Sequence, residues 1–210
     1  MILACSSLEE YVNAAQSKLG TNYPTTWIDK RLHADPQKMR EAIQHALDEM
    51  PVEIDTVLVA MGYCGGSWKD IQSTKMIVRP HVDDCATLLL HTPALSGFNL
   101  KRQGHLYMKD HDPKDFNLEK AFLGYTAKFD EATKAQIKQS WVNAYTDVDI
   151  VNTGHTDCHS PEYKQMAQMN ADWIEGKVNV AHGSNIVIER LLAGDWSTGF
   201  RIMNPRNEQE

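Results

Sequence analysis

No stretch of this 210-residue sequence approaches the 18 or so consecutive apolar residues that a membrane-spanning helix needs, so a helical membrane protein is not expected. Nothing resembles a signal peptide either. Ile2-Leu3-Ala4-Cys5 has the letters of a lipoprotein cleavage box, but no basic segment and no long apolar region precedes it. Positive charge is in deficit: 21 Lys and Arg stand against 28 Asp and Glu, a net charge of -7. No basic stripe or tail supplies the electrostatic footprint of specific nucleic-acid binding. Cysteine is scarce as well, and four in a chain of this size do not make a disulfide scaffold. These absences lead to the expectation of a cytoplasmic protein with reduced thiols. Its partner is a small-molecule substrate rather than a membrane or a nucleic acid, and a homo-oligomer is compatible with the composition.

Several catalytic signatures are also missing. There is no C-x2-C pair, no H-E-x-x-H, no G-x-G-x-x-G and no G-x-x-x-x-G-K-[ST], so the usual loops for dinucleotides and nucleoside triphosphates are lacking. A G-x-S-x-G nucleophile elbow is absent too.

The chain does carry a repeated strand–helix alternation. Met1–Ala4, Thr25–Ile28, Asp55–Met61 and Met76–Val78 read as strands. Val57-Leu58-Val59-Ala60-Met61 is continuously apolar, as a strand covered on both faces requires. Helices are expected after each. Ser6 or Ser7 caps one running to about Lys18, Pro36 opens another with Met39, Ile43, Ala46 and Leu47 on one face, and Asp83 or Asp84 caps Cys85–Leu90. Further on, Leu106–Met108, Val148–Val151 and Val178–Ala181 read as strands. Phe116–Tyr145 reads as two helices split near Asp130, with Ala135, Ile137, Trp141 and Ala144 as a buried stripe, and Pro161–Trp173 and Asn185–Leu192 as helices. The expected fold is α/β: a mostly parallel, open, Rossmann-like sheet with helices on both faces. One domain over residues 1–210 is expected, with an irregular or helical insertion at 91–146 and a frayed polar tail at 201–210.

In such a sheet ligands bind beyond the carboxyl ends of the strands. Cys5, Cys64 and Cys85 each follow a short apolar run, so three thiols from distant segments are expected to converge there, with His33 as a candidate fourth ligand or catalytic acid–base group. Thiolate and imidazole suit zinc, and thiolates also hold iron–sulfur clusters. Gly65 and Gly66 permit a tight turn after Cys64 and close approach of a cofactor. The turn Gly154-His155-Thr156-Asp157-Cys158-His159 follows a later strand, so His155 and Cys158 are candidate metal ligands, and His155 is also a candidate acid–base group. His182 ends another strand, and Gly183-Ser184 after it opens a helix that could hold an anion. His105, His111 and Asp112 read as ordinary polar loop residues. Arg79, at the end of a strand, is a candidate for a substrate carboxylate or phosphate, or for an ion pair with Asp83. Inert burial of the cysteines is the alternative, and a thiol-based redox or nucleophilic site is a second.

Leu3-Ala4-Cys5, Arg31-Leu32-His33, Gly62-Tyr63-Cys64-Gly65-Gly66, the run Ile77–Cys85 and Leu191–Trp196 together resemble an uncharacterised family, the domain of unknown function DUF1638. The resemblance covers most of the chain. It implies a cytosolic α/β protein of bacteria or archaea. Some members are encoded among genes of corrinoid-dependent methyl transfer, which implies one-carbon metabolism beside a corrinoid or methyltransferase partner protein. Two departures point to a different substrate: Leu106–Pro113 replaces an aromatic segment containing Gly-Trp, and the histidine-rich turn at 154–159 is unusual. The functional expectation is a metal-binding protein, a zinc-dependent enzyme of methyl-transfer or one-carbon metabolism. A metal-delivery or iron–sulfur accessory protein and a thiol-based enzyme are the alternatives.

Overall fold

A computed structural model describes residues 1–110 and 116–205, so His111 and Asp112 lie outside the described residues. In chain order it contains β1 (Ile2–Cys5), α1 (Glu9–Leu19), β2 (Thr25–Ile28), α2 (Pro36–Asp48), β3 (Thr56–Ala60), β4 (Met76–Pro80), α3 (Cys85–Leu90), β5 (His105–Lys109), α4 (Leu118–Thr126), α5 (Glu131–Ala144), β6 (Asp147–Asn152), α6 (Pro161–Trp173), β7 (Lys177–His182), α7 (Ile186–Ala193) and β8 (Phe200–Met203). The architecture is Rossmann-like α/β, as the strand–helix alternation requires. Among the described residues no helix is long and apolar enough to cross a membrane.

Where the sequence suggests one domain with an insertion at 91–146, the chain groups into two compact units, one of residues 1–100 and 185–210, the other of residues 101–184. In the first, the sheet order is β2-β1-β3-β4-β8, with β8 antiparallel to β4 and the other pairs parallel. The chain steps from β1 to β2 on one side and then crosses back to β3 and β4 on the other. Right-handed crossovers therefore put α1 and α2 on opposite faces. They also make the gap between β1 and β3 the topological switch point, where open sheets of this kind bind ligands. Strand β1 is fully buried from Ile2 to Cys5 and β3 from Val59 to Ala60, which accounts for their unbroken apolar sequences. Helices α1 and α7 pack together, fastened by Asn185 Nδ2 donating to the Tyr11 carbonyl at 2.7 Å and by the Lys18–Glu189 ion pair at 2.8 Å.

The second unit is a parallel sheet of order β5-β6-β7. Its core gathers Met108, Val148, Ile150 and Cys158 against Leu118 of α4 and Tyr163, Ala167 and Ala171 of α6.

Three local expectations need correction. Ser6 and Ser7 do not cap α1. They lie in a 3-10 turn (Ser6–Leu8), because their hydroxyls bond elsewhere: Ser6 Oγ accepts from Lys30 N at 2.9 Å and Ser7 Oγ lies 3.1 Å from Cys5 Sγ. The supposed apolar stripe of α5 is not buried. Trp141 instead lies edge-on against Phe122 and Trp173, each with ring centroids 5.8 Å away, and no α5 residue is buried. The start of the supposed tail is ordered: Phe200–Met203 is β8, whose ladder with Ile77–Pro80 covers the edge of β4. Residues 206–210 lie outside the described residues.

Candidate metal centre

Four segments leave the carboxyl edge of the first sheet, and each is fixed by a short-range device. Cys5 is the last residue of β1 and fully buried. After β2, Asp29 accepts from Arg31 N at 2.9 Å and opens a 3-10 turn (Lys30–Ala34). Ser6 Oγ ties that turn back to the end of β1 through Lys30 N. The turn presents His33, whose Nδ1 lies 2.9 Å from the Lys30 carbonyl. A carbonyl only accepts, so Nδ1 carries hydrogen and Nε2 is the atom left for the site.

After β3 the chain enters Gly62–Gly66. A Cβ on Gly62 would lie 2.4 Å from Asp84 Cα, so only glycine lets this loop press against the one following β4. Two backbone bonds seal the contact: Tyr63 N to the Val82 carbonyl at 2.9 Å and Cys64 N to the Asp83 carbonyl at 2.7 Å. Cys64 itself has φ +46°, in the left-handed region that a non-glycine residue enters at a cost of about 1–3 kcal/mol. Gly65 and Gly66 continue in that region at +68° and +91°, and the Gly66 carbonyl accepts from Arg40 Nη2 at 3.2 Å. After β4, the Asp84 carboxylate accepts from Thr87 N at 2.8 Å, and this cap places Cys85 at the first position of α3.

The result is a compact group: one donor atom each from Cys5, His33 and Cys85, all within 4.8 Å of one another, with both cysteines buried and His33 open to solvent on one side. Cys85 is the hub. It is electrostatically coupled to Cys5, Cys64 and His33. Cys64 thus joins the cluster through Cys85 without entering the tight group of three. The Cys5 thiol is held far above the ordinary thiol range, first by its hydrogen bond with Cys85 and then by burial. Cys5 acts to lower the Cys85 thiol, but Cys64 and burial together outweigh it and the thiol is raised. His33 is pushed up to about 9, chiefly by the Cys85 sulfur and against the effect of burial.

The chain matches the family model described as "Protein of unknown function (DUF1638)" over residues 27–192. It belongs to this DUF1638 family. No curated protein matches the chain, and no solved structure does. Of the motifs that resemble the family, Arg31-Leu32-His33, Gly62–Gly66 and Ile77–Cys85 fall inside the matched span and build most of the cluster. Leu3-Ala4-Cys5 lies before it.

The remaining candidates are placed as follows. His155 and Cys158 belong to the second unit. Cys158 is buried in that unit's core, where desolvation and then Asp110 raise its thiol. His155 is exposed, its backbone N–H donating to Asp110 Oδ2 at 3.2 Å. His105 is not a plain loop residue. It opens β5 with Nδ1 2.9 Å from Asp149 Oδ2. His182 ends β7, exposed. Arg79 makes no ion pair with Asp83. Its guanidinium lies over the rings of Tyr63 and Trp68, 5.5 and 5.8 Å from their centroids. Ser7, Ser6 and Asp29 escaped the sequence reading as site residues, since a serine pair after a strand also looks like a helix cap.

Proposed function

We propose that the chain is a zinc-dependent enzyme acting on a small molecule in one-carbon or methyl-transfer metabolism, in which Cys5, Cys85 and His33 would hold the zinc. The observation that carries this reading is the mutual approach of two thiols and an imidazole within 4.8 Å. With Zn–S bonds of about 2.3 Å, sulfurs at two corners of a tetrahedron lie about 3.8 Å apart, so small side-chain rotations suffice to close the site. The donor set suits zinc better than an iron–sulfur cluster, which takes predominantly thiolates. A bound zinc with an open position supplies Lewis-acid polarisation of a substrate and a lowered pKa for a thiol or water.

The chain's own groups prepare that site. The Lys30 carbonyl fixes the His33 tautomer and ring direction. The Ser7 hydroxyl can donate to the Cys5 sulfur once it is a thiolate, offsetting part of its burial. Thiol and imidazole ligands bind metal in their deprotonated forms, so loading is linked to pH. The family resemblance supports the methyl-transfer context, in which a partner protein would carry the corrinoid.

A second reading, thiol-based redox chemistry, is supported by the electrostatic coupling of Cys85 to both Cys5 and Cys64. Anaerobic purification with metal and sulfide analysis separates the readings. Stoichiometric zinc without visible absorbance, lost in Cys5→Ser and Cys85→Ser but kept in Cys158→Ser, supports the zinc site. Iron with acid-labile sulfide transfers the site to a cluster. Freely titratable thiols and no uptake of added zinc refute metal binding altogether.

A further inference from the structure

A second constellation in the same unit has a different chemistry. Alongside the β4–β8 pair, a groove of about 490 Å³ is lined by Tyr63, Arg79, His81, Phe98, Arg201, Ile202 and Met203. Arg79 and Arg201 are direct cross-strand partners in the β4–β8 ladder, so two guanidinium groups face each other where a like-charged pair is unfavourable. Neither is matched by an acid. No salt bridge among the described residues involves them, and the one other ionic group acting on Arg79 besides Tyr63 is Arg201 itself. Arg79 Nε and Nη1 are shut off from solvent without a hydrogen-bond partner, and so is Trp68 Nε1, on the ring beneath the same guanidinium. Buried donors left without acceptors are costly, and several together around one guanidinium mark a place where an acceptor is missing.

His81 adds to the pattern. Arg201 Nη2 lies 3.3 Å from His81 Nε2, and a guanidinium can only donate, so Nε2 is the acceptor and the ring is neutral. Phe98 lies 5.0 Å from the His81 ring, centroid to centroid, and is 45% exposed; Ile202 is 49% exposed. In a chain of net charge -7, a groove that pairs two unmatched arginines with bare apolar side chains calls for a ligand with both properties.

We propose that Arg79, Arg201 and His81 form a subsite for an oxyanion, a phosphate or carboxylate group, carried on an apolar or aromatic body that lies against Phe98 and Ile202. The head group bridges the two guanidiniums and relieves their repulsion. The subsite assigns a ligand class: a small organic anion. It does not depend on zinc being held by the thiol cluster.

The test is calorimetric titration of the full-length chain, metal-depleted and zinc-loaded, with phenyl phosphate, benzoate, inorganic phosphate and acetate, in buffer matched for ionic strength with chloride. Phenyl phosphate or benzoate is expected to bind more tightly than the corresponding inorganic phosphate or acetate, and the tighter of the two names the head group. Arg201→Gln, on the exposed edge strand, and Arg79→Gln should each weaken binding roughly tenfold or more, the loss of a charge-assisted hydrogen bond. Phe98→Ala should remove the preference for the phenyl compound. Absence of binding above the chloride-matched control, or binding unchanged in both arginine variants, overturns the proposal. Failure of zinc uptake alone would not, because the metal-depleted arm is read separately.

Discussion

Replacing Gly62 by alanine should disable the thiol cluster from a position that contributes no chemistry. The added Cβ would lie 2.4 Å from Asp84 Cα, 2.5 Å from its carbonyl carbon and 2.8 Å from its nitrogen, all backbone atoms with no rotamer to yield. Ordinary contact begins near 3.4 Å, so the two loops must separate by about 1 Å. That displacement carries the Tyr63–Val82 and Cys64–Asp83 bonds, now 2.9 and 2.7 Å, beyond hydrogen-bonding range. Overpacking costs about 1–3 kcal/mol and each lost bond about 1 kcal/mol, so the variant should lose about 3–5 kcal/mol from a total typically about 5–15. Urea unfolding of the metal-free, reduced protein measures this. Gly194→Ala is the control: its φ is +79° and nothing lies within 4 Å of the new Cβ, so only the left-handed backbone cost of about 1–2 kcal/mol applies. A Gly62→Ala variant no less stable than Gly194→Ala would refute the packing of the two loops.

Asp84→Ala removes the cap of α3 and should cost about 1 kcal/mol while weakening zinc binding at least several-fold, because Cys85 is the next residue. Asp130→Ala removes the matching cap on α5, with Thr133 N at 2.8 Å, and should cost a similar amount without affecting zinc; competition with a chromophoric chelator reads both. His33 is raised from 6.5 to about 9, so the folded state favours its protonated form. Its contribution to metal-free stability is fully present below about pH 6.5 and lost as pH rises through about 9. The urea midpoint of the parent relative to His33→Gln should therefore fall from pH 6.5 to 9.5, and a flat or rising difference contradicts the contact with Cys85. Cys158→Ala should leave zinc affinity unchanged and cost on the order of 1 kcal/mol in thermal unfolding, as a small cavity in the second unit's core.

Strands β1 and β3 were legible because their residues are nearly all apolar, and Pro36 and Asp84 punctuate the helices where expected. Convergence of Cys5, Cys85 and His33 followed from the same alternation, since strand ends on one edge must meet. What the sequence does not display are pairings at long range. That Gly62 touches Asp84, that Ser6 bonds Lys30, and that Arg79 faces Arg201 all depend on strand order and register. Strand β8 was misread for the same reason: an arginine-bearing edge strand with one polar side lacks the apolar run that marked β1 and β3. Grouping into two units was likewise hidden, because residues 185–210 return to the first sheet after a complete second one.

The central claim is that two thiolates and one imidazole from three separate segments hold one zinc ion. X-ray absorption at the zinc edge, on protein loaded anaerobically to one equivalent, tests it directly. The account predicts two sulfurs at about 2.3 Å and lighter atoms at about 2.0–2.1 Å, with one sulfur lost in Cys5→Ser, one in Cys85→Ser and none in Cys158→Ser. A first shell of nitrogen and oxygen only, or a sulfur count that survives both Cys5→Ser and Cys85→Ser, would contradict it.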